Sequence, residues 1–269
     1  MAVIRIEQSN PEYLAEHFQL LTVQSSHLNR RCDISVFNAH PDSKDLPIVI
    51  LLHGVYGNHW VWSGLGGVHK AYSDEYAKGG LSQMILVMPS DGGFYGGSAY
   101  LPLANGENYE KWIVEDVIAA VIKCNPSASL ASNVYIAGLS MGGYGALRLG
   151  AKFPTIFKGI SAHSSITDIR EMAQFVAEDL SLYNTHLTYE SDIVHWLQVN
   201  KNHLPPIRFD CGTEDTLYSG NQRFNQRLQQ LGITAELESL SGEHSWDYWN
   251  RNVRKTFDFF SQIQELNYQ

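Results

Sequence analysis

The sequence predicts an α/β fold: a mostly parallel, doubly wound sheet with helices on both faces. Three observations carry this. Short continuous apolar runs recur at residues 48–52, 84–88, 134–137, 159–162 and 207–211. Unbroken runs suit strands covered on both faces, whereas half-exposed strands alternate apolar and polar residues. Stretches of helical period separate these runs, and repeated strand–helix units favour parallel neighbours joined by right-handed crossovers. The chain has 269 residues, 44% of them hydrophobic and 17% charged, which suits a single α/β domain over residues 1–269 with ample material for a core.

Each element follows from local chemistry. Two β-type runs near the start, 17–23 and 32–37, flank a polar turn around 25–30 and read as an antiparallel pair at the sheet edge. A helix at 109–123 places Trp112, Val117, Ala120 and Val121 roughly on one face. A second, at 141–153, stops at Pro154, whose ring breaks the hydrogen-bond ladder. A third, at 222–231, ends in Gly232, the usual left-handed cap. A strand at 235–240 and a last helix at 246–266 close the chain. Residues 164–205 break the rhythm. They exceed what a simple crossover needs, and they contain helix-like stretches at 169–177 and 191–199. They read either as a decorated connection or as a small lid.

The formal net charge is −9 and the pI about 5.6, with no run of Lys or Arg. Such a surface repels phosphate backbones, so nucleic acid is not an expected partner. Arg5 and Glu7 interrupt any apolar core of a signal peptide, and no downstream run is long enough to span a membrane. Cys32, Cys124 and Cys211 are too few and too scattered for a disulfide framework or a zinc site. The expectation is a cytoplasmic protein with reduced thiols and no metal.

Gly138-Leu139-Ser140-Met141-Gly142 fits the G-x-S-x-G pattern. The pattern is short enough to arise by chance, but here it joins the strand at 134–137 to the helix from 141, where a nucleophile elbow has to lie. A serine thrust up at that turn has a strained backbone, and the two glycines remove collisions on either side. The following helix aims its first N–H groups at the site. A serine needs a base. Of the downstream histidines, only His244 lies in a glycine-containing loop at the carboxyl end of the last strand, the same edge as Ser140. The acid has to follow the strand at 207–211, where Glu214 and Asp215 both qualify and spacing barely separates them. Asp210 lies within that strand, and Asp247 follows the histidine. The turn at Leu52-His53-Gly54-Val55 supplies a second oxyanion donor, so Val55 and Met141 are the expected N–H pair. His53 is expected to brace the loop.

With these residues in place, the chain resembles the esterase D family of α/β-hydrolases, which includes S-formylglutathione hydrolases, tributyrin-type carboxylesterases, feruloyl esterases and mycolyltransferases. The matching segments are LLHGVYGNHWVW (51–62), MPSDGGFYG (88–96), GLSMGGYGAL (138–147), CGTEDTLY (211–218) and GEHSWDYW (242–249). The resemblance implies the α/β-hydrolase fold. It also implies that the acid is Asp215, in a G-x-x-D arrangement, and that the residue after His-Gly, here Val55, donates to the oxyanion.

S-formylglutathione hydrolases typically carry a Cys-containing loop after His-Gly-Leu-Thr and G-H-S-M-G-G-H-G at the elbow. This chain has Val55-Tyr56-Gly57-Asn58 and Gly138-Leu139-Ser140-Met141-Gly142-Gly143-Tyr144-Gly145, and is more similar to the tributyrin-type short-chain carboxylesterases. The implied activity is hydrolysis of short-chain acyl esters without any cofactor. S-formylglutathione thioester hydrolysis and acyl transfer to an alcohol are alternatives on the same triad. Aromatic residues gather near the predicted site, among them Trp62, Phe94, Tyr95 and Tyr218, and Trp60, Tyr144 and Trp246 are taken as substrate-binding. The expected partner is a small ester. A homo-oligomer is compatible with this reading.

Overall fold

The structure, a computed structural model, describes residues 3–266. Strands β1 (Val3–Gln8), β2 (Phe18–Ser25) and β3 (Arg30–Phe37) form an antiparallel flank. Strands β4 (Ile48–Leu52), β5 (Ile85–Pro89), β6 (Val134–Leu139), β7 (Phe157–His163), β8 (Ile207–Gly212) and β9 (Leu237–Leu240) form the parallel part. The sheet order is β1-β2-β3-β5-β4-β6-β7-β8-β9, with β3 antiparallel to β5.

All five continuous apolar runs are strands, and the antiparallel pair is present as β2 and β3. That pair is not the sheet edge, because β1 lies outside it. β1 escapes the sequence pattern for a physical reason: only Val3 and Ile6 are even partly buried, and a register shift between Val3 and Arg5 interrupts its pairing.

The continuous runs are two-faced. In β4, Ile48, Ile50 and Leu52 join one core while Val49 and Leu51 join the other. Helices α1 (Val61–Gly64), α2 (Val68–Lys78) and α8 (Trp246–Leu266) cover the second core through residues such as Trp62, Tyr72, Phe257 and Phe260. The first core is covered by α3 (Tyr109–Lys111), a π-helical turn at Trp112–Val117, α4 (Ile118–Cys124), α5 (Met141–Lys152), α6 (Ile193–Val199) and α7 (Tyr218–Gln230). Trp112, Val117, Ala120 and Val121 are all fully buried, as their spacing predicts. α5 ends one residue short of Phe153, and α7 starts a turn earlier than its apolar pattern. Gly232 takes the left-handed cap at φ 61°. No helix among the described residues is long and apolar enough to cross a membrane.

Residues 164–205 form short 3-10 turns at Ile169–Gln174, Leu180–Tyr183, Thr188–Ser191 and Lys201–His203, together with α6. The helix expected at 169–177 is the first of these turns, capped by Asp168 and Glu171. The segment is fastened to α5. Tyr144 Oη–H donates to the Ser191 carbonyl at 2.6 Å, and Arg148 Nη1 to the Glu190 carbonyl at 3.0 Å. The fully buried Arg148 guanidinium is paired with Glu110 at 2.7 Å, as a buried charge requires.

The parallel register sets the site. Leu52 pairs with Gly138, Gly138 with Ala162, His163 with Asp210, and Gly212 with Leu240. The carboxyl ends of β4, β6, β8 and β9 therefore finish at one edge. The order β5-β4-β6 makes that edge a topological switch point, where open α/β sheets bind ligands.

Candidate active site

Ser140 joins β6 to α5 with φ 54° and ψ −120°, a conformation that a residue with a side chain adopts only under constraint. Two features hold it there. Its N–H donates to the His163 carbonyl at 2.9 Å. The flanking glycines admit neighbouring backbone: a Cβ on Gly138 would overlap the Gly142 carbonyl, and one on Gly142 would overlap the carbonyls of Leu52 and His53. This is the collision that the G-x-S-x-G spacing anticipates.

His244 lies between β9 and α8. Its Nδ1–H donates to Asp215 Oδ2 at 2.8 Å, and its Nε2 accepts from Ser140 Oγ at 3.0 Å. The Asp215 carboxylate is fully buried and takes a second bond from the Leu217 N–H at 2.8 Å. The structure thus brings Ser140, His244 and Asp215 into one hydrogen-bonded series. Glu214 points elsewhere. Its Oε2 accepts the Gly242 N–H at 2.5 Å, and that amide, with the Thr213 hydroxyl, holds the Glu214 carboxyl below the ordinary carboxylate range. It anchors the loop that carries His244.

Gly54 lies directly against the nucleophile, since a Cβ there would sit 3.1 Å from the Ser140 Cβ. The next N–H, that of Val55, and the Met141 N–H at the start of α5 have no acceptor among the described residues. Two free amides beside the serine suit an oxyanion. His53 is fixed in place: Nδ1–H donates to the Gly54 carbonyl at 2.7 Å, and Nε2 accepts the Asp91 N–H at 2.9 Å. With both nitrogens engaged and the ring 1% exposed, it braces the oxyanion loop.

The aromatic residues divide. Tyr144, expected to bind substrate, is fully buried with its hydroxyl on Ser191, so it presents no surface to a ligand. It anchors residues 164–205 instead. Trp62 is also interior, donating from Nε1 to the Leu52 carbonyl. Trp246 meets the rings of Trp62 and Trp249 edge-on, and Trp249 in turn meets His244 at 4.9 Å. Trp60 is half exposed, with its ring over Gly64. Sequence reasoning missed Phe175, whose ring stacks on His244 at 5.3 Å with the planes 25° apart. No motif marks it, because it reaches the site from the segment between β7 and β8. Burial pushes the Cys32 thiol up to about 12 and the Cys211 thiol higher still, so neither offers a thiolate.

Residues 25–259 match the family model described as "Putative esterase". An acetyl esterase of Caldicellulosiruptor saccharolyticus is 29% identical over 246 residues, covering 85% of this chain and 88% of the relative. Among solved structures, a ferulic acid esterase has a TM-score of 0.77 at 24% identity, covering 96% of this chain and 97% of its own. An S-formylglutathione hydrolase from Staphylococcus aureus has a TM-score of 0.75 at 20% identity, covering 94% and 98%. These structural likenesses establish the α/β-hydrolase fold. The family match extends over most of the chain: the protein belongs to this esterase family.

Proposed function

We propose that the protein is a serine carboxylesterase that hydrolyses short-chain acyl esters through an acyl-enzyme. The observation that carries this reading is the series Ser140 Oγ to His244 Nε2 at 3.0 Å and His244 Nδ1 to Asp215 at 2.8 Å, built on a strained serine. Ser140 Oγ attacks the ester carbonyl carbon while His244 Nε2 takes its proton. The Val55 and Met141 amides hold the oxyanion. Collapse breaks the bond to the alcohol oxygen, which leaves with the proton from His244, and the acyl group stays on Ser140. Water then repeats both transfers and releases the acid. Asp215 fixes the imidazole tautomer and offsets its charge when protonated. The chemistry needs no metal or organic cofactor.

The acetyl esterase relative supports a short acyl group. An open groove would reward each added methylene by about 0.8 kcal/mol, whereas a wall costs roughly 1–3 kcal/mol once the chain meets it. The test is kcat/KM across C2 to C12 4-nitrophenyl esters, with S-formylglutathione run alongside. The expected result is acetyl above butyryl and most efficiency lost by octanoyl. A maximum at C8 or beyond would overturn it.

The same reading takes the chain as one catalytic domain in which residues 164–205 cover the site. Phe175 on His244, and Tyr56 Oη–H donating to the Phe175 carbonyl at 2.5 Å, support that role. The free state of Cys32, Cys124 and Cys211 supports a cytoplasmic location.

A further inference from the structure

We propose that Phe175 is a specificity-determining residue that reads the alcohol portion of the ester and favours a flat, apolar ring there. The inference rests on the serine esterase reading above. In that chemistry the departing alcohol oxygen comes within hydrogen-bond reach of His244 Nε2 to collect its proton. Whatever flanks the imidazole therefore flanks the first atoms of the alcohol.

Two rings flank it. Trp249 meets the imidazole edge-on at 4.9 Å but is 6% exposed, so it offers a ligand almost no surface. Phe175 is only half-buried and lies nearly parallel to the imidazole at 5.3 Å. Stacked carbons touch at about 3.5–4 Å, so at this centroid separation the rings are offset rather than superposed, and the half-buried Phe175 ring keeps hydrocarbon surface that the imidazole does not cover. A flat alcohol group can lie against that hydrocarbon face, while a puckered or branched one loses contact with it.

The ring is also presented from a fixed backbone. The Phe175 carbonyl accepts from Tyr56 Oη at 2.5 Å, and the Phe175 N–H donates to the Met172 carbonyl at 2.9 Å. Three residues on, Glu178 Oε1 accepts the Gly96 N–H at 2.9 Å and the Tyr183 hydroxyl at 2.7 Å. Tyr56 directly follows Val55, so these bonds tie the oxyanion side of the site to the strap bearing Phe175. None of them uses the phenyl ring, so the side chain can be exchanged while the tether stays.

The test compares benzyl acetate with cyclohexylmethyl acetate, which share an acyl group and have alcohols of similar acidity but differ in flatness. The wild type is expected to favour the benzyl ester in kcat/KM. Phe175→Ala and Phe175→Leu should each lower the benzyl-to-cyclohexylmethyl ratio by about three- to tenfold, the size of one aromatic contact. Phe175→Tyr should keep the ratio, and the acetyl-to-butyryl ratio on 4-nitrophenyl esters should stay unchanged in all three. An unchanged benzyl preference in Phe175→Ala, or its retention in Phe175→Leu, would overturn the proposal while leaving the esterase reading intact. A wild type that hydrolyses no acetate at all would remove both.

Discussion

Asp215 and Glu214 are adjacent carboxylates with different geometry. Asp215 is buried and bonded to His244 Nδ1, whereas Glu214 is exposed and bonded to the Gly242 N–H. Asp215→Asn puts the wrong partner behind the imidazole and should lower kcat on 4-nitrophenyl acetate by about 10⁴, as removal of a buried triad carboxylate does. Glu214→Gln keeps an acceptor for Gly242 and should cost less than about tenfold. The reverse ranking would move the acid to Glu214. Spacing leaves these two residues open, because both follow β8 within reach of the edge. The G-x-x-D resemblance favours Asp215, and the turn geometry, with the Asp215 carboxylate under the Leu217 amide, agrees with it. Tyr144 is the opposite case: next to the nucleophile in sequence, it looks like pocket lining, yet one turn into α5 it faces Ser191.

At the scale of elements, α5 seats the nucleophile because small residues let it approach the sheet. Gly142 faces the Leu52 and His53 carbonyls, Gly143 faces Ser165, and Gly150 faces Ile160. Gly142→Ala would push α5 away from β4 and disturb both the Ser140 turn and the Val55 loop. Overpacking of this kind costs roughly 1–3 kcal/mol. The expected outcome is a lower denaturation midpoint together with a fall in kcat/KM of more than tenfold. A variant with wild-type midpoint and activity would show that α5 is free to move. The strands and the long helices were legible because burial on two faces, or on one helical stripe, writes itself into the residue order. β1 and the 3-10 turn at 180–183 were not, and the stretch at 169–174 was readable as helical but not as a short 3-10 turn, since short or edge elements bury too little to leave a period.

At the scale of the whole molecule, Asp210 links the layers beneath the site. Its carboxylate takes His163 Nδ1 at 2.8 Å, Tyr248 Oη at 2.7 Å and Arg208 at 2.6 Å, joining β7, β8 and α8. Burial alone would raise this carboxyl, but His163, Arg208 and Tyr248 together hold it below the ordinary carboxylate range. A depressed group stabilises the fold above its unfolded value, about 3.9, and that stability fades as pH falls through the lower folded value. Asp210→Asn should therefore cost about 3–5 kcal/mol at pH 7, with the gap to wild type closing only below about pH 4. Thermal unfolding across pH measures it, and a gap independent of pH would contradict the assignment. The sheet class and the edge that gathers Ser140, Asp215 and His244 were readable from strand order. This network was not, because a His and an Asp inside apolar strands carry no motif. The account turns on Ser140, and the most direct measurement is intact and peptide mass after reaction with a fluorophosphonate. One adduct on Ser140, with turnover lost in proportion and absent in Ser140→Ala, is the predicted result. Hydrolysis that persists in an unlabelled Ser140→Ala protein, or an adduct on another residue, would contradict it.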